Sequence, residues 1–138
     1  MNRIRTAAVL VILAVIITGI SMANKPNEGD GINITASPST LVLSRDSVCV
    51  TIHTNIPIGL VDRSSLLLSG IEGDPIAPYK TKSDSLGHLV AKFNDLDEEN
   101  DIRAIVAPGP VTLTLTGDIF DGEEFKEFSA SDTIWVKQ

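Results

Sequence analysis

The sequence predicts an all-β domain with two packed sheets, carried behind a hydrophobic leader. Apolar residues recur at every second position through most of the chain after Ile32, as in strands with one buried face. Gly, Pro, Asn and Asp separate these runs at intervals typical of an antiparallel sandwich. The length of 138 residues is enough for one domain of ordinary size.

The first 23 residues have the three parts of a secretory signal peptide. Residues 1–5 are cationic, residues 7–20 hold no charge, and small side chains follow at positions 21 and 23. The alternative is a membrane anchor, because an uncharged stretch of this length is at the lower limit for crossing a bilayer. In both cases Arg3 and Arg5 hold the N-terminus inside. We therefore expect the rest of the chain to be extracytoplasmic, either secreted or at the cell surface.

Residues 24–31 are polar and rich in turn formers, which predicts a flexible spacer between the leader and a domain at 32–138. The tripeptide that begins at Asn33 is a glycosylation sequon, so Asn33 is a candidate modification site.

The alternation predicts the strands of the domain in order. Six of them lie at residues 40–43, 48–53, 64–69, 79–83, 88–93 and 111–116. After a turn at Asp121-Gly122, a return that includes Phe125 and Phe128 leads into the last strand at 132–137. Residues 64–69 enclose Leu66-Leu67-Leu68, which is apolar on both faces and suggests a central strand. Residues 79–83 alternate more weakly and suggest an edge strand.

One helical signal interrupts the strands. Asp101 is a candidate N-cap, Ile102, Ile105 and Val106 share a face, and prolines follow from residue 108. The prediction is therefore about seven strands and one short helix, at spacings typical of an immunoglobulin-like (Ig-like) two-sheet sandwich.

Several short blocks of sequence also agree, in order, with a known type of module. They are SSLLLSG at 64–70, LVAKF at 89–93, the short helix, PVTLTLTG at 110–117 and SDTIWV at 131–136. In these blocks the chain resembles the Ig-like accessory modules found near the ends of large secreted archaeal and bacterial proteins, over residues 48–136. The resemblance implies a β-sandwich without a catalytic role, used as a spacer, sorting or adhesive element. Such modules often have an Asp-rich, calcium-loop-like segment before the strand matched by 89–93. Residues 82–88 hold one acid here, so the resemblance does not imply a metal at that position.

Composition argues against several classes of function. The formal net charge of −7 disfavours binding to nucleic acid or to anionic lipid, so membrane contact is expected only through the N-terminal segment. The single cysteine excludes an intrachain disulfide. The sequence has two histidines and no Gly-x-Ser-x-Gly motif, so no residue can be identified as the nucleophile of a hydrolase triad. We expect no enzymatic activity.

Two groups of residues have the chemistry of metal ligands, and the spacing of the second group disfavours metal binding. Asp95, Asp97, Glu99 and Asp101 alternate in the densest acidic segment, and carboxylate oxygens are the ligands that Ca²⁺ prefers. The alternative is a solvated start of the short helix, whose dipole favours acids without any metal. Cys49 and His53 lie four residues apart on one strand, about 13 Å between Cα atoms, and cannot readily share one ion. Calcium is the one cofactor that the sequence suggests.

The pattern favours a non-catalytic structural or adhesive module at the cell surface, with a protein partner or a second copy as its ligand. A sharper version is strand exchange, in which the segment containing Ile32, Ile34, Leu41 and Leu43 leaves its own sandwich and completes a neighbour's sheet. The plainer version keeps this segment in its own sheet. The alternative function is a soluble extracytoplasmic binding module for a small ligand or Ca²⁺.

Overall fold

Eight strands account for most of residues 31–138, the part of the chain that the computed structural model describes. They are β1 (Ile34–Ser37), β2 (Thr40–Val42), β3 (Cys49–Pro57), β4 (Val61–Ser69), β5 (Lys80–Ser83), β6 (His88–Asn94), β7 (Gly109–Phe120) and β8 (Phe125–Lys137). Single 3₁₀ turns lie at Ile58–Leu60, Glu98–Asn100 and Ile102–Ile105. The predicted leader and nearly all of the predicted spacer lie outside the described residues. Among those described, no helix has the length and hydrophobicity to span a bilayer.

The strands form two four-stranded sheets. The first sheet has the order β1-β3-β6-β5 and the second the order β2-β8-β7-β4. All neighbours are antiparallel except β2 and β8, which are parallel. Buried side chains from both sheets form one hydrophobic cluster. For residues 31–138, the prediction of a mostly β fold with two sheets is confirmed.

Alternation places the core residues of each strand. In β7, Val111, Leu113 and Leu115 are fully buried, whereas the threonines between them remain accessible. In β6, Phe93 is fully buried between two partly exposed polar residues. Burial of one such side chain contributes about 1.5–3 kcal/mol, so the period-two pattern holds the two sheets together.

The strand that contains the triple leucine is not central. β4 lies at the edge of the second sheet, and Leu67 points outward with 40% of its surface exposed. Leu66 and Leu68 are buried, as one-sided burial requires. The free edge of β4 is partly covered, because Leu68 and Ile76 exchange two backbone hydrogen bonds of 2.8 and 2.9 Å. Position in a sheet depends on pairing partners, which a local apolar run does not specify.

The predicted short helix is present as the 3₁₀ turn Ile102–Ile105. Asp101 caps it, since its Oδ1 accepts a hydrogen bond of 2.8 Å from the backbone N–H of Arg103. Ile102 and Ile105 are fully buried, and Val106 is nearly so. With only four residues, this segment is too short for an α-helix and serves as a connection between β6 and β7.

The N-terminal segment of the domain divides between the two sheets. β1 pairs with β3 at the edge of the first sheet, and β2 pairs with β8 at the edge of the second. The two strands are joined through Pro38 and Ser39. This crossing is secured at Ala36, whose N–H donates to Asp132 Oδ2 of β8 at 2.8 Å.

Candidate functional site

The acidic segment predicted to bind calcium has structural roles in the described chain. Asp97 Oδ1 accepts from the N–H of Glu99 at 3.0 Å and caps the turn Glu98–Asn100. Hydrogen bonds from the Asn100 side chain and then from the Glu99 backbone lower the pKa of Asp97. Within residues 31–138, no group of three or more His, Cys, Asp and Glu side chains is arranged to hold a metal ion. Calcium binding by Asp95, Asp97, Glu99 and Asp101 stays a prediction.

Asp95 belongs to a buried network instead. Its side chain is 7% exposed, and its Oδ2 accepts from Arg103 Nε at 2.9 Å and from the Val48 N–H at 3.2 Å. Arg103 also donates to the carbonyl oxygens of Leu43 and Arg45, at 2.6 and 2.8 Å. The pair thereby connects the 3₁₀ turn to the loop between β2 and β3. Asp95 Oδ1 is buried without a hydrogen-bond partner among the described residues.

The predicted strand-exchange segment lies in the chain's own sheets. Ile32, Ile34 and Leu41 are buried, and Leu43 packs partly buried against the same core. Its hydrogen bonds outside the regular ladders include Trp135 N–H to Ser39 O, at 2.9 Å, and Leu43 N–H to Lys137 O, at 2.8 Å. The segment therefore supplies apolar side chains to the core from edge strands of only four and three residues.

Asn33 lies immediately before β1, and its side chain is exposed. Its backbone N–H donates to Asn55 Oδ1 at 2.9 Å. Thr35, the third residue of the sequon, is exposed as well. Glycosylation of Asn33 stays a prediction.

Cys49 and His53 share the outer face of β3, where both are exposed. Cys49 Sγ lies 4.0 Å from the hydroxyl of Tyr79, which belongs to the segment before β5. Desolvation, followed by this contact with Cys49, raises the pKa of Tyr79. His53 lies opposite Val90 of β6, so the cysteine and the histidine have different neighbours.

Sequence reasoning missed a cluster of basic residues on the outer side of the first sheet. We call it the lysine face and define it by Lys80 and Lys82 of β5, Lys92 of β6, and the exposed Tyr79 beside them. Lys80 lies directly opposite Lys92, and Lys82 directly opposite Val90. None of these lysines makes an ion pair within residues 31–138. The K-x-K spacing in β5 was the available sequence signal, but it did not reveal Lys92 as the partner.

A second unanticipated cluster lies at the end of the β7–β8 hairpin, on the outer side of the second sheet. We call it the acidic tip and define it by Asp118 and Phe120 of β7 with Phe125 and Glu127 of β8. Asp118 lies directly opposite Glu127, and Phe120 directly opposite Phe125. The two phenylalanine rings contact each other with centroids 5.4 Å apart and remain exposed. Their exposure is unusual because aromatic rings gain most from burial.

Asp121 fixes the turn of this hairpin. Its Oδ1 accepts from the N–H groups of Glu123 and Glu124 at 2.9 and 3.0 Å, and its Oδ2 pairs with Lys126 at 3.1 Å. Gly122 takes a φ of 105°, which glycine accepts without strain. The predicted turn at Asp121-Gly122 is confirmed.

We expect Asp121 to titrate at a pKa of about 2, because the Glu124 and Glu123 N–H groups and Lys126 stabilise its charged form. A depressed folded-state pKa means that the stabilisation is complete above the ordinary value of 3.8 and is lost as pH falls through 2. NMR titration of the side-chain carboxyl carbon checks this. A midpoint for Asp121 near the ordinary value of 3.8 would contradict the structure.

Comparison with known proteins adds no family to this picture. No protein-family model matches the chain, and no curated protein is significantly similar to it. Function must therefore be argued from the residues and surfaces of the chain itself.

Proposed function

We propose that the chain is a non-catalytic, exported structural or adhesive module at the cell surface, which associates through its sheet edges. The observation that carries this proposal is the N-terminal segment, residues 32–43. It contributes buried apolar side chains to both sheets, yet it is held at their edges by two very short strands. A second copy offering the same segment meets the same partners, β3 and β8.

The strand order supports an Ig-like assignment of the sandwich. One sheet holds β1, β3, β6 and β5, and the other holds β2, β8, β7 and β4. The N-terminal segment of the domain therefore contributes one short strand, β1 or β2, to each sheet. The final strand, β8, pairs in parallel with β2. Four-stranded sheets with this division of the terminal strands suit a spacer or adhesive role, as the sequence resemblance implies.

The remaining sheet edges are better protected than the N-terminal one. β5 carries Lys80 and Lys82, and charged edge strands resist pairing with another chain. β4 is partly covered at Leu68 by Ile76. β1 and β2, in contrast, contain no charged residue, although Asp132 of β8 accepts a hydrogen bond from the Ala36 N–H of β1. An edge contact is therefore most favourable at the N-terminal segment.

Cysteine cross-linking distinguishes an exchanged segment from one that stays in place. Thr35 of β1 lies opposite His53 of β3. We expect a Thr35→Cys/His53→Cys variant, made with Cys49→Ser and expressed with its leader in a bacterial host, to form covalent dimers and larger species on oxidation of the exported product. The reason is that an exchanged β1 places its cysteine against β3 of another chain. Size-exclusion light scattering and non-reducing electrophoresis measure the outcome.

The matched control is a Thr112→Cys/Thr133→Cys pair in the same Cys49→Ser background. These residues lie opposite each other inside the β7–β8 hairpin, with hydroxyls 2.9 Å apart, so their disulfide forms within one chain. If the 35/53 pair also cross-links only within one chain, in assembled as well as monomeric fractions, strand exchange is wrong. If the product does not associate with itself or with a cell surface, the structural role fails.

The second candidate function is a binding module for Ca²⁺. The specific observation in its favour is the buried Asp95 Oδ1, a carboxylate oxygen without a hydrogen-bond partner among the described residues, in the most acidic segment. Against it, Arg103 already neutralises Asp95. A rise in melting temperature with millimolar Ca²⁺ but not with Mg²⁺, lost in Asp97→Asn, would support calcium binding. An unchanged melting temperature would leave the Asp95–Arg103 network, which holds the loop between β2 and β3, as the role of this segment.

A further inference from the structure

We propose that the lysine face of one copy binds the acidic tip of a second copy, so that the chains join head to tail. This inference rests on the proposed function and names both the partner and the surfaces. Each surface places like charges on directly opposed residues. The charges are positive on the lysine face and negative on the acidic tip.

On the lysine face, Lys80 and Lys92 occupy directly opposed positions of neighbouring strands. Side chains at such positions lie about 5 Å apart at Cβ, and like charges there are destabilising. Protection of the sheet edge explains lysines on β5, but Lys92 belongs to the inner strand β6. The outward residues of β3, β5 and β6 include no acid that would relieve the repulsion.

One apolar side chain is covered within the same face. Val90 points outward, since Leu89 and Ala91 on either side of it belong to the core cluster and Val90 does not. It is nevertheless only 2% exposed, between His53 and Lys82 on the neighbouring strands. The stems of these side chains cover it. The half-exposed ring of Tyr79 lies toward Cys49, with its hydroxyl 4.0 Å from Cys49 Sγ. The lysine face therefore offers positive charge, the aliphatic stems of its lysines and one exposed aromatic ring.

The acidic tip has the complementary arrangement. Asp118 and Glu127 are directly opposed like charges, and neither carboxylate makes an ion pair within residues 31–138. Next to them are the exposed rings of Phe120 and Phe125. Docking on the lysine face gives both carboxylates a cationic partner and covers both rings, and this combination of charged rim and aromatic centre is typical of protein interfaces.

A second copy fits this surface better than a polyanion does. A charged polymer relieves the lysine repulsion but leaves the phenylalanine pair exposed, and it must approach a chain whose own net charge is −7. The two surfaces lie on opposite sheets of the chain, so the contact is heterologous. Such contacts propagate into an open filament, or into a ring where the rotation closes.

Charge reversal and rescue test the proposal on the exported full chain. We expect Lys80→Glu/Lys82→Glu and, separately, Asp118→Lys/Glu127→Lys to weaken self-association by about 100-fold, because each places like charges across the contact. Mixing the two variants at equal concentration should restore association, since each reversed surface then meets its complement. Sedimentation velocity measures the species. Raising ionic strength from about 0.01 M to about 1 M should dissociate the wild type, because the Debye length falls from about 30 Å to about 3 Å.

Matched controls keep the net charge of each variant but place it elsewhere. Arg45→Glu/Lys137→Glu and Asp46→Lys/Glu72→Lys alter exposed residues outside both surfaces and should associate as the wild type does. Rescue on mixing also shows that both reversed variants are folded. Self-association that survives both reversals, or reversed variants that remain monomers when mixed, would overturn the proposal. So would a monomeric wild type that binds heparin through the lysines.

The cross-link between positions 35 and 53 reports strand exchange independently of the lysines. Charge-reversed variants that keep both the intermolecular cross-links and the assembly size of the wild type would overturn the docking contact and leave the proposed function in place. Loss of association on charge reversal, with only intrachain cross-links, would establish the docking contact without strand exchange.

Discussion

Replacing Arg103 by alanine is expected to lower the free energy of unfolding by about 3 kcal/mol. The substitution leaves the Asp95 carboxylate 7% exposed without its cationic partner. It also removes the donors to the carbonyl oxygens of Leu43 and Arg45, which hold the loop between β2 and β3. A loss of this size is a large fraction of the stability of an ordinary domain, which is about 5–15 kcal/mol.

Urea unfolding followed by tryptophan fluorescence measures this effect. The control is Arg63→Ala, because Arg63 is exposed on β4 and makes no ion pair among the described residues. We expect the control to change the unfolding free energy by less than about 0.5 kcal/mol. A loss below about 1 kcal/mol for Arg103→Ala would mean that the Asp95 network does not hold the loop.

Replacing Gly70 by alanine is expected to cost about 3 kcal/mol or more. A Cβ at this position would overlap the carbonyl oxygen of Ile105 and lie 2.9 Å from its carbonyl carbon. Both are backbone atoms of the 3₁₀ turn, and the same carbonyl accepts a hydrogen bond from the Ile71 N–H at 2.9 Å. The turn cannot retreat without displacing Ile105, whose side chain is fully buried.

The matched control is Gly59→Ala, where an added Cβ meets no atom within 4 Å and the backbone needs no positive φ. We expect Gly59→Ala to be neutral or slightly stabilising, since alanine restricts the unfolded chain. Thermal unfolding of both variants under one condition gives the comparison. Equal melting temperatures for the two would show that the end of β4 does not pack against the turn as the structure indicates.

Local sequence patterns correctly predicted the structural elements whose conformation depends on residues close together in the sequence. The alternation at 111–116 lies within β7, the turn at Asp121-Gly122 joins β7 to β8, and Asp101 caps the short turn. Each of these patterns spans only a few consecutive residues. The leading features of the all-β fold therefore follow from the sequence alone.

Features that depend on distant pairing were not predictable in this way. Leu66-Leu67-Leu68 was expected in a central strand because three apolar residues occur together, but β4 pairs on one side only with β7. Asp95 was grouped with neighbouring acids, whereas its partner Arg103 and the loop they fix come together only in the folded chain. The lysine face arises because the β5–β6 register places Lys80 opposite Lys92.

The parallel pairing of β2 with β8 also determines how the domain carries tension. Thr40, Leu41 and Val42 lie beside Trp135, Val136 and Lys137, so the first strand of the second sheet runs alongside the last strand of the chain. A pull on opposite ends of the chain moves these strands lengthwise past each other. The backbone hydrogen bonds between them are then strained together in shear, and none is peeled open before the next. In a module anchored at one end and bound at the other, this short contact would therefore contribute resistance to mechanical extension.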